Sequence, residues 1–223
     1  MLAGSETWLR AGSHFRAVNY GGNLYVWDAG AAPGLADQVQ KYFSGRYGEF
    51  PDPWIKNTGE QKTTNALDLA VDGNVYLLKP DGHILVFEAG AFKREIVPQG
   101  VNPALSTPAG FFVTGDPENG SIFMIDFNHR VLEIDKQTGA LLQQVRARPD
   151  SPNNLDQLTS LYVDASGSRP VLYMVNGGQI LRGALPDRPQ PFRPASKTPA
   201  PSGTSAPAAT APASSTPAPT SAP

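Results

Sequence analysis

The chain has 223 residues with 18 basic side chains, 20 acidic side chains and no cysteine. Residues 189–223 hold 10 prolines, 9 alanines, 11 serines or threonines and no acid; they contain two of the basic residues, so the rest of the chain has 16 bases against 20 acids, a net charge of −4. The missing cysteines exclude disulfides, thiolate nucleophiles and cysteine-ligated zinc. An acidic chain without long basic runs is a poor match for nucleic acid.

The amino-terminal residues predict neither an export signal nor a membrane anchor. Charged side chains at Glu6, Arg10 and Arg16 interrupt every apolar stretch near Met1, whereas a signal peptide needs about 7 to 15 apolar residues in a row. No run in the chain approaches the ~18 apolar residues of a membrane-spanning helix. We therefore expect no membrane insertion by this chain.

One strand-turn-strand unit occurs four times along the chain. Its clearest copy has apolar segments at residues 67–72, 75–78 and 83–87, separated by a Gly73-Asn74 turn and an Asp81-Gly82 turn. Asp-Gly between apolar runs is a strong hairpin signal because glycine reaches positive φ at no steric cost. The copies align on a second-strand aromatic (Tyr25, Tyr76, Phe123, Tyr173) and on a third-strand aliphatic (Val39, Ile84, Val131, Ile180).

A repeat of about 47 residues built from short strands is typical of β-propeller blades. We predict an all-β chain with blades at about 12–62, 63–107, 108–155 and 156–188. Second strands are expected to be buried on both faces because neighbouring blades enclose them. In the third strand at 130–135, the charged residues are expected at the solvated rim.

Four blades leave two arrangements open. The blades either close a small ring or form an arc of a larger, six-bladed ring. The fourth copy lacks a clear outer strand, and Thr7, Trp8 and Leu9 begin a segment that is able to supply one. An open arc would leave apolar faces of its terminal blades exposed.

The unit resembles the NHL type of propeller repeat, at SIFMID (121–126), NHRVLEID (128–135) and DGNVY (72–76). The resemblance extends over roughly residues 15–185. More distantly, the chain resembles the carboxy-terminal propeller of bacterial multidomain proteins, some of them PPM-type phosphatase relatives. That likeness brings no activity, because the sequence contains no phosphatase motif.

Residues 189–223 are predicted to be a disordered tail. They alternate proline with alanine, serine and threonine and offer almost nothing to bury, so conformational entropy dominates. Such Pro/Ser/Thr-rich stretches also serve as stalks outside the cytoplasm, which slightly favours an extracytoplasmic location.

The innermost strand of a propeller blade lines the central channel, where ligands usually bind. The first strands align on valines at 18, 71, 113 and 163, and three residues before these stand Phe15, Asp68, Gly110 and Ser160. With the polar residues of the preceding loops, this alignment predicts a ligand site at the channel mouth, made of Asn65, Asp68, Asn153, Asn154, Asp156 and Ser160.

Two functions fit these residues. The first is a non-catalytic scaffold, or a module that binds a protein or small ligand as part of a larger protein. The second is a metal-assisted hydrolase or lactonase-like enzyme with a cation held near Asp68. Since a hard cation normally needs two or more carboxylates and only Asp156 is available as the second, we expect no enzyme, no cofactor and no bound metal.

The remaining polar and aromatic candidates are interpreted as structural. His83 and His129 fall in outer turns, and residues 116–120 indicate a polar hairpin turn more than a calcium loop, because the twelfth position from Asp116 is Phe127. Trp27 is predicted to lie in the core and Trp54 to pack over the blade's outer edge. No serine-hydrolase or phosphate-loop motif occurs.

Overall fold

The computed structural model describes residues 15–28, 38–57, 63–152 and 154–188. In this part of the chain every regular element is a β-strand, and no helix long and apolar enough to cross a membrane is found there. The strands form four antiparallel sheets that follow one another along the chain, three with four strands and one with three. The prediction of an all-β propeller with four blades is confirmed.

The blades are numbered in chain order. Blade 1 contains β1 (Phe15–Tyr20), β2 (Asn23–Asp28), β3 (Val39–Tyr42) and β4 (Asp52–Pro53). Blade 2 contains β5 (Asp68–Val71), β6 (Val75–Leu78), β7 (Ile84–Glu88) and β8 (Ala91–Ile96). Blade 3 contains β9 (Pro108–Val113), β10 (Ser121–Asp126), β11 (Arg130–Asp135) and β12 (Leu141–Arg146). Blade 4 contains β13 (Leu158–Asp164), β14 (Val171–Asn176) and β15 (Gln179–Ala184).

Aspartate side chains close the hairpin turns, as at Asp116, where Oδ1 accepts the backbone N–H groups of Glu118 and Asn119 at 2.9 Å. The hydrogen bond from the Glu118 amide, followed by those from the Asn119 side chain and amide, lowers the pKa of Asp116. The predicted hairpin turn at 116–120 is therefore present. In the β11–β12 turn, Gly139 has φ +77°, and a Cβ there would meet the Val97 carbonyl oxygen at 2.4 Å, so only glycine fits.

Blade packing buries three hydrophobic cores. One lies between blades 1 and 2, around Trp27 and Leu77; one lies between blades 2 and 3, around Tyr76 and Met124; and one lies between blades 3 and 4, around Phe123. The inner strands contact one another in the order β1, β5, β9, β13. Within the described residues no such core joins blade 4 to blade 1, and the closed four-blade ring and the arc of a six-bladed ring both remain predictions.

The repeat positions face the same way in every blade. In blades 1 to 3 the aligned aromatic and aliphatic residues lie in the core shared with the next blade along the chain. The side chains of Val39, Ile84 and Val131 are all 0% exposed. Ile180, their counterpart in blade 4, is 75% exposed, because the described part of the chain provides no further blade to cover it.

This exposure corrects one prediction about the second strands. β6 and β10 are buried along their whole length, as expected. In β14, only Leu172 and Met174 are buried, and both pack toward blade 3. The expected burial on both faces fails in blade 4 because only one face of its sheet has a neighbouring blade.

The charged residues of β11 were expected at the solvated rim; this prediction is wrong for Arg130 and Glu133, whereas Asp135 at the end of the strand is half-buried. Arg130 is fully buried, with Nε 2.6 Å from Asp126 Oδ2, and its Nη2 donates to the Pro103 carbonyl at 2.7 Å. Glu133 is also buried, because Arg188 beyond β15 reaches back to its Oε1 at 2.6 Å. Burial is tolerated because each charge has an oppositely charged, hydrogen-bonded partner.

A third ion pair with buried members joins blades 2 and 3. Lys136 Nζ lies 2.6 Å from Asp72 Oδ2 and donates to the carbonyl oxygens of Thr114 and Asp116 at 2.7 and 2.6 Å. The Tyr76 hydroxyl donates to the same Asp72 oxygen at 3.1 Å. All the ammonium protons of Lys136 therefore have acceptors, so the ion pair fixes how the two blades dock.

The tryptophan predictions can be compared with the structure for two of the three residues. Trp27 is fully buried, and its Nε1 donates to the Ala66 carbonyl of the next blade at 3.1 Å. Trp54 is half-buried and packs edge-on against Tyr25 with ring centroids 6.1 Å apart. Trp8, the predicted closing strand that contains it, and the predicted disordered tail lie outside the described residues.

Candidate functional site

The inner strands of all four blades line one central cavity of about 670 Å³. Each strand contributes four consecutive residues: 16–19 from β1, 68–71 from β5, 110–113 from β9 and 159–162 from β13. The lining mixes polar groups with aromatic rings, as ligand sites do. This is the channel that the repeat pattern predicts.

Strand pairing shows which channel residues occupy the same level. In each blade we take the second-strand residue two positions after the aligned aromatic and ask which inner-strand residue pairs with it. That inner-strand residue is Arg16 in blade 1, Asp68 in blade 2, Gly110 in blade 3 and Ser160 in blade 4. We call these four residues the channel ring. Asp68, Gly110 and Ser160 are the residues that the sequence alignment placed there.

Asp68 ties three blades together within this ring. Its Oδ1 lies 3.2 Å from Arg16 Nε of blade 1 and accepts the Leu69 N–H of its own blade at 2.9 Å. Its Oδ2 accepts the Phe111 N–H of blade 3 at 3.0 Å. A Cβ at Gly110 would lie only 3.1 Å from Oδ2, so the absence of a side chain there lets the carboxylate reach blade 3.

Opposing effects act on the pKa of Asp68, and their net result is an increase. Burial raises the pKa of Asp68 above its ordinary value, and the hydrogen bonds from Phe111 and Leu69 and the charge of Arg16 act in the opposite direction. Burial is the larger effect, because a carboxylate in the channel loses more hydration than its three partners replace.

An aromatic cluster forms the channel wall on the side of blade 4. Phe112 of β9 meets Tyr162 of β13 edge-on, with centroids 5.1 Å apart, and Tyr162 lies 6.1 Å from Tyr173 of β14. Tyr162 remains 54% exposed. The cluster therefore runs from the channel onto the outer face of blade 4.

The structure separates the predicted site residues. Asp68 and Ser160 line the channel, whereas Asn154 and Asp156 line a second cavity of about 430 Å³ beside the β10–β11 turn. Asn154 Nδ2 donates to Asp156 Oδ2 at 2.8 Å. Asn65 is exposed in the turn before β5, with φ +62°, and lines neither cavity.

Asn153 lies outside the described residues, and the six predicted residues therefore do not form one described site. Among the residues that the structure does describe, no group of three or more histidine, aspartate or glutamate side chains is placed to hold a metal ion. His83 binds Glu95 at 2.9 Å, and His129 is exposed in the β10–β11 turn.

Sequence reasoning missed Arg16 because the first strand of blade 1 was aligned one residue too early. Tyr25 pairs with Val18, but Tyr76 pairs with Ala70 rather than with Val71. The correct counterpart of Asp68 is therefore Arg16, and Phe15 does not belong to the ring. The two-residue Gly21-Gly22 turn sets Tyr20 of β1 opposite Asn23 of β2. Counting the residue pairs of β1 and β2 away from this turn places Arg16 opposite Trp27, which is the correct register.

No protein-family model and no curated protein matches this chain. Among solved structures, the chain is similar to the WD40 β-propeller domain of Doa1, with 15% identity, TM-score 0.43, and 75% of this chain aligned to 52% of that one. It is also similar to BBS1N, solved in complex with ARL6DN, with 13% identity, TM-score 0.42, and 72% of this chain aligned to 45% of that one.

A third similar structure is the computationally designed Ika4 protein, with 12% identity, TM-score 0.43, and 77% of this chain aligned to 90% of that one. The chain spans about half the length of the Doa1 domain and of BBS1N. At these identities no ligand, partner or activity passes from those proteins to this chain.

Proposed function

We propose that the chain is a non-catalytic propeller scaffold that binds protein through the side of blade 4 that faces away from blade 3. The observation that carries this proposal is the exposure of Ile180, 75%, at a position that is 0% exposed in the other three blades. The face is built from residue types suited to a blade interface and lacks a described neighbour. Exposed apolar patches of this kind are typical of protein-binding sites.

The chemistry of Asp68 supports a scaffold over the rival hydrolase. Its two oxygens already accept hydrogen bonds from Leu69 and Phe111 and face Arg16 at 3.2 Å. A cation at this carboxylate would compete with the Arg16 guanidinium and would need further oxygen ligands. Asp156, the second predicted carboxylate, lines a different cavity.

Calorimetry with calcium or manganese tests the non-catalytic part of the proposal. We expect no binding heat at millimolar metal for the wild-type protein or for Asp68→Ala. Metal binding that is lost in Asp68→Ala would favour the hydrolase and contradict the proposal. Asp156→Ala serves as the matched control, because it removes a carboxylate outside the channel.

The binding part is tested with the Ile180→Glu variant. Its side chain is mostly exposed, so the substitution leaves the fold intact and changes the chemistry of the face. Immobilised wild-type protein and variant are compared for proteins retained from an extract of the native host. A retained protein counts as support only if, once purified, it binds the wild type and not Ile180→Glu.

We also propose that the chain is related to NHL-type repeats and to the propellers of PPM-related bacterial proteins. It is supported by the residues that resemble the repeat: 121–126 and 130–135 form the two central strands of blade 3, and 75–78 form the second strand of blade 2. A longer natural sequence with further units at the same period would strengthen it.

A further inference from the structure

The strand register maps the outer face of blade 4 in detail. Residues directly opposite one another in an antiparallel sheet lie on the same face. Tyr162, Tyr173 and Arg182 form one row across β13, β14 and β15, and Ser160, Val175 and Ile180 form the next. We call these six residues the blade-4 face; its two β13 members, Ser160 and Tyr162, lie at the inner edge of the face and also line the channel.

The cation on this face, Arg182, contacts an aromatic ring of the same face. The Arg182 guanidinium lies 5.8 Å from the centre of the Tyr173 ring, and its Nε donates to the Tyr173 hydroxyl at 3.3 Å. A cation held on an aromatic ring is easier to bury than a free one. The remaining members are aromatic, aliphatic or the small Ser160, so the blade-4 face suits a partner that is itself an apolar sheet face.

The described residues offer few surfaces of that kind. The face of blade 1 turned away from blade 2 includes Val26, which is only 5% exposed and has little apolar surface left to offer. Phe50 and Phe127 are exposed but lie singly outside the strands, on blades 1 and 3. Among the described residues, the surface that best complements the blade-4 face is the same face on another molecule.

We propose that two copies of this chain associate through their blade-4 faces about a twofold axis. This inference rests on the proposed function and identifies the partner as a second copy. Isologous twofold dimers are the commonest assemblies, because one self-complementary patch serves both subunits. Two sheets packed face to face bury their facing side chains in a layer about 10 Å thick.

The direction of the axis follows from the charges. An axis parallel to β14 stacks Tyr173 and Val175 on their own copies and brings Arg182 against the Tyr162 ring of the second molecule, because β15 then lies over β13. An axis across the strands would lay β15 over β15, which contains no aromatic residue. Neither Arg182 would then face an aromatic ring of the second molecule, and both cations would lie over the same pair of strands, where like charges repel. The parallel axis is therefore the arrangement that we infer.

The size of the face predicts a weak dimer. Three strands of about 20 Å, spaced about 4.8 Å apart, present a face on the order of 300 Å². Stable interfaces bury about 800 Å² per partner. We therefore expect an association that appears only as the protein concentration rises, and the measurement has to cover a wide concentration range.

Light scattering coupled to size-exclusion chromatography tests the proposal on the full chain. We expect the mass to rise with concentration from 23.7 kDa toward twice that value, and Ile180→Glu to abolish the rise. Val97→Glu is the matched control, because Val97 is an exposed aliphatic residue outside blade 4. In the cysteine-free chain, Val175→Cys is expected to form a covalent dimer with a short bismaleimide.

Other outcomes separate this inference from the proposed function. A protein that is monomeric at every concentration overturns the second copy. If Ile180→Cys in that monomer is also alkylated far more slowly than the exposed Ser166→Cys, the face is covered within one chain and the proposed function fails as well. A monomer that binds a purified foreign protein in an Ile180-dependent way refutes only the second copy. A dimer that Ala17→Glu in β1 abolishes and Ile180→Glu leaves intact refutes the blade-4 interface.

Discussion

The interface between blades 2 and 3 and the blade-4 face use the same repeat positions with opposite results. Ile84 is 0% exposed and Ala70 6% exposed between blades 2 and 3, whereas their blade-4 counterparts Ile180 and Tyr162 are 75% and 54% exposed. The repeat determines which residue type faces the next blade. A neighbouring blade determines whether that residue is buried, so the same pattern forms a core in one place and an exposed apolar face in another.

The two regions also differ in the burial and the partners of their cationic side chains. Lys136 lies fully buried between blades 2 and 3, with Asp72 and two carbonyl oxygens as its partners. Arg182 lies exposed against Tyr173 on the blade-4 face. The first arrangement is a permanent interface in which every polar proton has an acceptor, and the second leaves a cation available to a partner.

The largest expected effect comes from breaking the buried ion pair. Lys136→Ala should lower the free energy of unfolding by about 3–5 kcal/mol, because it leaves the Asp72 carboxylate buried without its cation. Urea denaturation measures the change. The matched control, Arg46→Ala, removes the exposed Arg46–Glu49 pair, and we expect little measurable change. Equal effects of the two variants would contradict the distinction between the regions.

The aligned aliphatic positions give the next largest effect and test the comparison directly. Ile84→Ala should cost about 2–5 kcal/mol, because it opens a cavity between blades 2 and 3. Ile180→Ala should cost less than about 0.5 kcal/mol when measured at concentrations where the protein is monomeric, since its side chain is mostly exposed. A large loss for Ile180→Ala in the monomer would mean that the blade-4 face is already covered within one chain.

Much of this fold is predictable from the sequence, for a physical reason. Aspartate-glycine turns and aromatic second strands recur at a nearly constant interval, and both are local signals. The burial of Arg130 and Glu133 is not predictable in this way, because their partners include the distant Pro103 carbonyl and Arg188. Local polarity indicates solvent, and only the packed structure reveals the partner.

The candidate site shows the same limit. Asp68 and Ser160 were correctly placed on inner strands, but Arg16 was missed through a shift of one residue, which moves a side chain to the other face of a strand. Asn154 and Asp156 were assigned to the channel because they precede β13 in the chain. Proximity in sequence does not establish which cavity a loop residue lines.

The smallest expected effect concerns pH and tests the balance at Asp68. Because the pKa of Asp68 is raised in the folded protein, its charge lowers stability near neutral pH, and this loss is relieved as the pH falls through the folded pKa toward the ordinary value of about 4. Asp68→Asn lacks a titrating group, so the stability of the variant relative to wild type should be most favourable at pH 7 and should decline toward pH 4.5. Urea denaturation of both proteins at both pH values gives the difference in their free energies of unfolding. The titration of the other acids is common to the two proteins and cancels in that difference. The opposite trend would mean that Arg16 and the Phe111 amide stabilise the carboxylate more than burial penalises it.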